Sequence, residues 1–277
     1  MFFASTAMTA LLFALCGLLS GVNGLTITTA EQLITFSSNV NTGTSYYGST
    51  VYLDSDIDLT STLSPFQPIG KTETNYFNGT FDGQGHTISG IIFNASLKYV
   101  GLFGYSAETT IKNFVMDSSC SFLFPGLDGN AGSIAGACSS CLIDSVVNMG
   151  SITFNERSSA PFYFGGIVGR LSGSSTVRNC VNYGTITQSK NIGDVCIGGV
   201  VGVFVESNLT GYIQNCANYG PLSHTSGLAY QKYLYMGGIL GKADNGTVII
   251  ENCLSARMIR NSTAGRINYV GSVVGHD

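Results

Sequence analysis

The sequence predicts an all-β protein: a right-handed parallel β-helix of about six coils behind a short N-terminal helical cap. Three observations point there. Charged residues make up only 10% of the chain while Gly accounts for 36 of 277 residues; an ordinary globular domain carries roughly a quarter charged residues and about 7% Gly. A phrase of small and apolar residues closed by Gly recurs along the chain. Helical periodicity is absent outside one short segment, which excludes helical solenoids.

The chain opens with an apolar stretch, Ala7 to Leu19, long enough for the core of an export signal and short for a membrane span. Small residues follow up to Gly24, so residues 1–24 read as a signal peptide and the protein as secreted or displayed at the cell surface. The usual basic start is missing, which leaves an uncleaved anchor as the alternative. No second long apolar segment follows. Five Asn-x-Ser/Thr sequons, at Asn78, Asn94, Asn208, Asn245 and Asn261, fit an exported glycoprotein.

Residues 25–70 read as an N-terminal cap and first strands. Thr29 and Gln32 fit a capping box, and Leu33, Phe36 and Val40 share one face of a short helix. Val51, Leu53, Ile57 and Leu59 then alternate as strand. On that reading Asp54, Asp56 and Asp58 project from the opposite face, as a solvated edge or as a weak Ca²⁺ candidate. Asp82 and His86 sit in a Gly-rich corner, where Asp82 is expected to cap the turn Gly83 to Gly85.

Residues 71–277 carry the repeats. Clear copies of the first phrase are Phe164-Gly165-Gly166-Ile167-Val168-Gly169, Ile197-Gly198-Gly199-Val200-Val201-Gly202 and Met236-Gly237-Gly238-Ile239-Leu240-Gly241. A second phrase follows, as in Val177-Arg178-Asn179-Cys180, Ile213-Gln214-Asn215-Cys216 and Ile250-Glu251-Asn252-Cys253. Each repeat holds short apolar strands and nothing able to cover them. Equivalent strands one repeat apart therefore stack in parallel, about 4.8 Å apart. Asn113, Asn179, Asn215 and Asn252 are expected to stack as a ladder. The residue after each Asn forms a column of small buried side chains, with Phe114 and Ser145 standing in for Cys. The repeats break off at Gly275-His276-Asp277, so the solenoid reads as unfinished there, with self-association through that edge as one consequence.

Eight cysteines are present. Cys16 lies in the signal, and Cys138 with Cys141 suggests a local disulfide, or a bridge to Cys120.

The run Gly79-Thr80-Phe81-Asp82-Gly83-Gln84-Gly85-His86-Thr87-Ile88, with Leu53-Asp54-Ser55-Asp56-Ile57-Asp58-Leu59 and Pro68-Ile69-Gly70 upstream, resembles the opening coil of GLUG-repeat proteins in the pectin-lyase-like β-helix superfamily. That resemblance covers about residues 25–277. It implies the fold strongly and a function weakly, since such repeats occur in surface adhesins and many other exported proteins.

The superfamily includes carbohydrate-active enzymes, and glycoside hydrolysis needs two carboxyls facing one groove. Asp54, Asp56 and Asp82 are the catalytic candidates on that alternative. No acidic pair recurs in register, and the superfamily's paired-Asp and Arg/Lys signatures have no match. His224 and His276 read as loop and terminal residues without a Ser or Cys partner. No cofactor is called for, and no basic run offers a nucleic-acid footprint. The expected function is a non-catalytic surface or matrix protein that adheres to an extracellular protein or glycan through its sheet faces and its loops, Phe154–Phe164 and the Tyr-rich Ser223–Tyr235. A carbohydrate-active enzyme and a self-assembling structural protein are the alternatives.

Overall fold

The computed structural model describes residues 24–94, 96–123, 129–155, 160–189, 193–206, 208–225, 233–256, 259–261 and 268–276. The apolar phrases form strands of two to seven residues, and each pairs in parallel with its equivalent one repeat away. One coil runs through Leu142–Asn148, Ser151–Phe154, Phe162–Gly165 and Val168–Ser172. Stacked coils give four parallel sheets, named I to IV in that order. Sheet I has 13 strands, because several coils cross it as two short strands; sheets II, III and IV have six each. The molecule is a parallel β-solenoid of about six turns with one short helix among the described residues.

Strands this short cannot bury an apolar face alone, so the fold depends on columns of like residues. Val51, Phe81, Ile111, Ile143, Val177 and Ile213 are successive partners across sheet I and are all fully buried. Each contributes about 1.5–3 kcal/mol of burial free energy. Where the chain turns from sheet III into sheet IV, the backbone doubles back so closely that only Gly fits. A Cβ on Gly165, Gly198 or Gly237 would lie 1.8, 1.7 or 1.8 Å from the carbonyl oxygen three residues on.

Helix α1, Ala30–Asn41, lies over the first coil. Its Thr29–Gln32 capping box forms, and Leu33, Phe36 and Val40 are buried. The Phe36 ring meets Phe77 and Phe81 at 5.6 and 6.3 Å, joining the helix to the solenoid core. Sheet I already begins on the N-terminal side of the helix, with Gly24–Ile27 pairing in parallel with Thr50–Leu53. Residues 1–23, the bulk of the expected signal, lie outside the described residues. No described helix is long and apolar enough to cross a membrane.

Two expectations are corrected. Asp54, Asp56 and Asp58 do not share one strand face, because the strand stops at Leu53 and resumes at Ile57. Asp56 instead accepts hydrogen bonds from the Thr87 backbone N–H at 2.9 Å and pairs with His86 Nδ1 at 3.2 Å. Asp58 turns back on Thr60, accepting from its N–H and hydroxyl. The second correction concerns His224, which is no loop residue: it lies fully buried in the strand Leu222–Thr225, in register with Gln188 and, beyond it, Phe154.

Candidate functional site

Asp82 and the four Asn residues of the expected ladder lie along the outer face of sheet I. There the register stacks Tyr52, Asp82, Lys112, Asp144, Arg178, Gln214 and Glu251 in one column. Charges alternate along it and pair between coils. Lys112 meets Asp82 at 3.1 Å, and Arg178 grips Asp144 through Nε and a terminal nitrogen at 2.9 and 2.8 Å. Gln214 donates to Glu251 at 2.8 Å. Burial pushes the Asp144 carboxyl up, but hydrogen bonds from Arg178, Asn179 and Ser145 outweigh it and hold the group below the usual carboxylate range. Asp82 behaves alike: burial opposes, while the Gln84 N–H, Asn113 and Lys112 lower it. The Gln84 bond, 3.0 Å, caps the turn Gly83–Gly85.

Beside this column runs the exposed Asn ladder. Asn252 donates to Asn215, Asn215 to Asn179, both at 3.2 Å, and Asn179 to the Asp144 carboxylate at 2.8 Å. Asn113 stands apart and donates to Asp82. All four Asn have φ between 52° and 60°, the left-handed region that Asn tolerates. Ser145, φ 57°, holds the same corner. Register therefore places Ser145 in the Asn column, and Val146, not Ser145, in the column of Cys180 and Phe114. The expected alignment slipped there by one residue, because Asp144-Ser145 imitates Asn-Cys in order but not in conformation.

A second ladder, which the sequence reading took only for turns, is buried. Asn148 donates to Asn182 at 2.8 Å and Asn182 to Asn218 at 2.9 Å. Each amide also closes on the Gly two residues later, accepting its N–H and donating to its carbonyl. The recurring Asn-x-Gly spelling was the available signal. A Cβ on Gly166 or Gly199 would fall 2.4 or 2.3 Å from the amide carbon of Asn182 or Asn218, so the ladder packs directly under the Gly corner.

The cysteines are structural. Cys138 and Cys141 are disulfide-bonded, and Cys120 is free. Cys180, Cys216 and Cys253 stack as free thiols. Burial pushes Cys120 up to about 11, and sharing a hydrogen bond with Cys180 pushes Cys216 up to about 12. Among the described residues no group of three or more His, Cys, Asp or Glu side chains could hold a metal ion, and the Asp54, Asp56, Asp58 candidate has no such geometry. Of the sequon residues, Asn94, Asn208 and Asn245 are exposed. Asn78 is half-buried, its amide hydrogen-bonded to Ser45 and the Tyr46 N–H, and the Asn261 side chain lies outside the described ones.

Sheet I carries two open grooves of about 690 and 580 Å³, the first beside Glu108, Arg178 and Tyr212, the second beside Asp82, Gln84 and Ser145. The chemically richer surface lies where the outer faces of sheets III and IV meet. Sheet III presents Tyr99, Asn130, Tyr163, Cys196, Tyr235 and Tyr269 in one register column. Sheet IV presents Tyr105, Ala137, Arg170, Val203 and Lys242 in another. Coil by coil the two columns face each other. Tyr99 and Tyr105 touch with centroids 5.2 Å apart, and Lys242 sits 5.0 Å over the Tyr235 ring. Cys196, Val203 and Tyr235 form an apolar cluster separate from the core, with Tyr163 and Tyr269 against it. Tyr235 and Tyr269 stack at 5.1 Å and 5°. This cleft was missed in the sequence, although Tyr163/Arg170 and Tyr235/Lys242 share one seven-residue spacing across the Gly corner.

No family model matches the chain, and no curated protein matches it, so the GLUG-type likeness rests on the sequence phrases alone. Among solved structures the chain is similar to a candidate immunoglobulin A1 protease from Bacteroides ovatus. The two are 19% identical with a TM-score of 0.40, over 91% of this chain and 86% of that one. That likeness is too distant to carry an activity or a ligand to this protein.

Proposed function

We propose that this chain is an exported, non-catalytic binding protein of the GLUG-type β-helix kind, which holds an extracellular glycan along the cleft between sheets III and IV. The carrying observation is that half-exposed Tyr163 and Tyr269 share one register column facing Arg170 and Lys242, over the buried Tyr99 and Tyr235. Tyr rings offer flat apolar area with a polar tip, which suits sugar faces. Exposed Asn94, Asn208 and Asn245 and the Cys138–Cys141 disulfide fit an oxidising, extracellular setting.

Carboxyl chemistry supports the non-catalytic reading. A glycosidic acid needs a raised pKa, whereas Asp56, Asp58, Glu73, Asp82, Asp117 and Asp144 are all lowered. Asp82 and Asp144 are further neutralised by Lys112 and Arg178. The test is a glycan array with the parent protein and with Tyr163→Ala and Tyr269→Ala. Binding to a restricted glycan set, lost in both variants, is expected. An empty array, or binding indifferent to both substitutions, refutes the proposal. Turnover of a polysaccharide panel that Asp82→Ala abolishes would replace it with an enzyme.

A further inference from the structure

We propose that one notch in this cleft, at the coil of Asn130 and Ala137, is a subsite for a single sugar residue bearing an anionic group, a carboxylate or a sulfate ester. The inference rests on the glycan-binding reading and adds where charge is recognised.

The notch follows from register. Every second coil places a large pair across the cleft: Tyr99 with Tyr105, then Tyr163 with Arg170, then Tyr235 with Lys242. Between the first two lies a coil whose pair is Asn130 and Ala137, and the missing bulk leaves a cavity of about 250 Å³ lined by Lys98, Asn130, Pro161, Tyr163, Arg170 and Val205. Between the next two the pair is Cys196 and Val203, which are buried in apolar contact. Only the first gap combines space with polarity. One wall is braced, since the Tyr99 hydroxyl donates to Glu73 and Lys98 pairs with Glu73 at 3.0 Å.

Two groups in the notch lack a direct partner among the described residues, with Glu73 reaching Arg170 only beyond ion-pair distance. Arg170 makes no ion pair among the described residues, whereas Lys98, Lys112, Arg178 and Lys242 each have a carboxylate. Asn130 is only 4% exposed, and its Oδ1 has no hydrogen-bond donor. A buried amide oxygen without a donor costs free energy that a ligand hydroxyl can offset. The three functions fit one small molecule. Arg170 takes a planar or tetrahedral oxyanion with two parallel N–H donors, Asn130 takes a hydroxyl, and the Tyr163 ring takes the apolar face of the sugar. Bounded by the Tyr99–Tyr105 pair, the notch has room for about one sugar residue.

The experiment measures binding of sialyllactose and of a sulfated N-acetyllactosamine against their neutral parents, lactose and N-acetyllactosamine, by isothermal titration calorimetry. At least one acidic sugar should bind about tenfold more tightly than its parent, as expected for one charge-assisted contact. Which of the two does so identifies the oxyanion. Arg170→Gln should erase that preference and Arg170→Lys should restore part of it, with thermal melting confirming that each variant folds. Asn130→Ala should weaken acidic and neutral sugars alike. Equal binding of acidic and neutral forms, or a preference that survives Arg170→Gln, overturns this inference and leaves the glycan reading standing. No binding by any of these sugars together with an empty array overturns both.

Discussion

Replacing Asn182 by Ala removes four hydrogen bonds from the interior of the solenoid at once. The side chain is fully buried. It accepts from the Gly184 N–H at 3.0 Å and from Asn148 Nδ2 at 2.8 Å, and donates to the Gly184 carbonyl at 3.1 Å and to Asn218 at 2.9 Å. Water cannot replace these partners without opening the stack. At about 1 kcal/mol net per bond, the loss is about 4 kcal/mol, and the cavity adds to it. Asn148 and Asn218, at the ends of the ladder, make three such bonds each, so their Ala variants should lose about 3 kcal/mol. The exposed ladder provides the contrast. Asn215→Gly gives up two exposed bonds of 3.2 Å but keeps a residue suited to φ 53°, and should cost less than about 1 kcal/mol. Equilibrium urea unfolding followed by circular dichroism, with midpoints compared at constant slope, measures all four. If Asn182→Ala costs no more than Asn215→Gly, the buried ladder is not a source of stability and the reasoning fails.

Three further outcomes follow from the same contacts. Asp82 and Asp144 are held below the ordinary carboxylate range in the fold, so their contribution is complete above the unfolded value near ~3.9 and is lost as pH falls through the lower folded values. Thermal melts should show stability declining below about pH 4, and Asp144→Asn should lose less on acidification than the parent; an equal acid loss in both would contradict the assigned role of Asp144. Cys120, Cys180, Cys196 and Cys216 are buried free thiols, and burial pushes Cys120 and Cys196 up while hydrogen bonding to Cys180 pushes Cys216 up. A water-soluble thiol reagent should therefore label them only on unfolding, and fast labelling of the native protein at any of the four would count against the packing. The Cys138–Cys141 disulfide closes a loop only three residues apart in sequence, so its reduction should cost no more than about 2 kcal/mol on chain-entropy grounds. A collapse of the fold on mild reduction would show a larger role.

The fold was legible because a solenoid writes its structure as recurrence. Gly165, Gly198 and Gly237 recur because a Cβ cannot fit where the chain doubles back, and the Ile and Val columns recur because each coil covers the last. Helix α1 was legible from Thr29, Gln32 and three apolar residues on one face, a local pattern that needs no tertiary knowledge. Legibility failed where conformation and spelling diverge. Asp144-Ser145 looks like Asn-Cys, yet the left-handed backbone sits at Ser145, and only the pairing of Val147 with Val181 fixes the register. Likewise Asp54, Asp56 and Asp58 alternate as a strand would, but Asp56 can cap the Thr87 N–H only by leaving the strand.

The cleft was hidden for a different reason. A sequence pattern reports which residues share a strand face, because that depends on a period of two within one element. Tyr163 and Arg170 belong to different strands, and they face each other only because the Gly165-Gly166 corner folds sheet IV back against sheet III. The angle of that corner is set by the absence of side chains, as the 1.8 Å approach to the Val168 carbonyl shows. Beneath it, Gly166 needs to be bare so that Asn182 can lie under the turn. The buried Asn ladder and the cleft are thus two sides of one corner, and a substitution that swells the corner should alter both. Gly166→Ala is the case to examine: its Cβ would collide with the Asn182 amide, so stability should fall by an amount comparable to Asn182→Ala. Any glycan affinity that runs through Tyr163 and Arg170 should fall with it, even though Gly166 touches neither side of the notch.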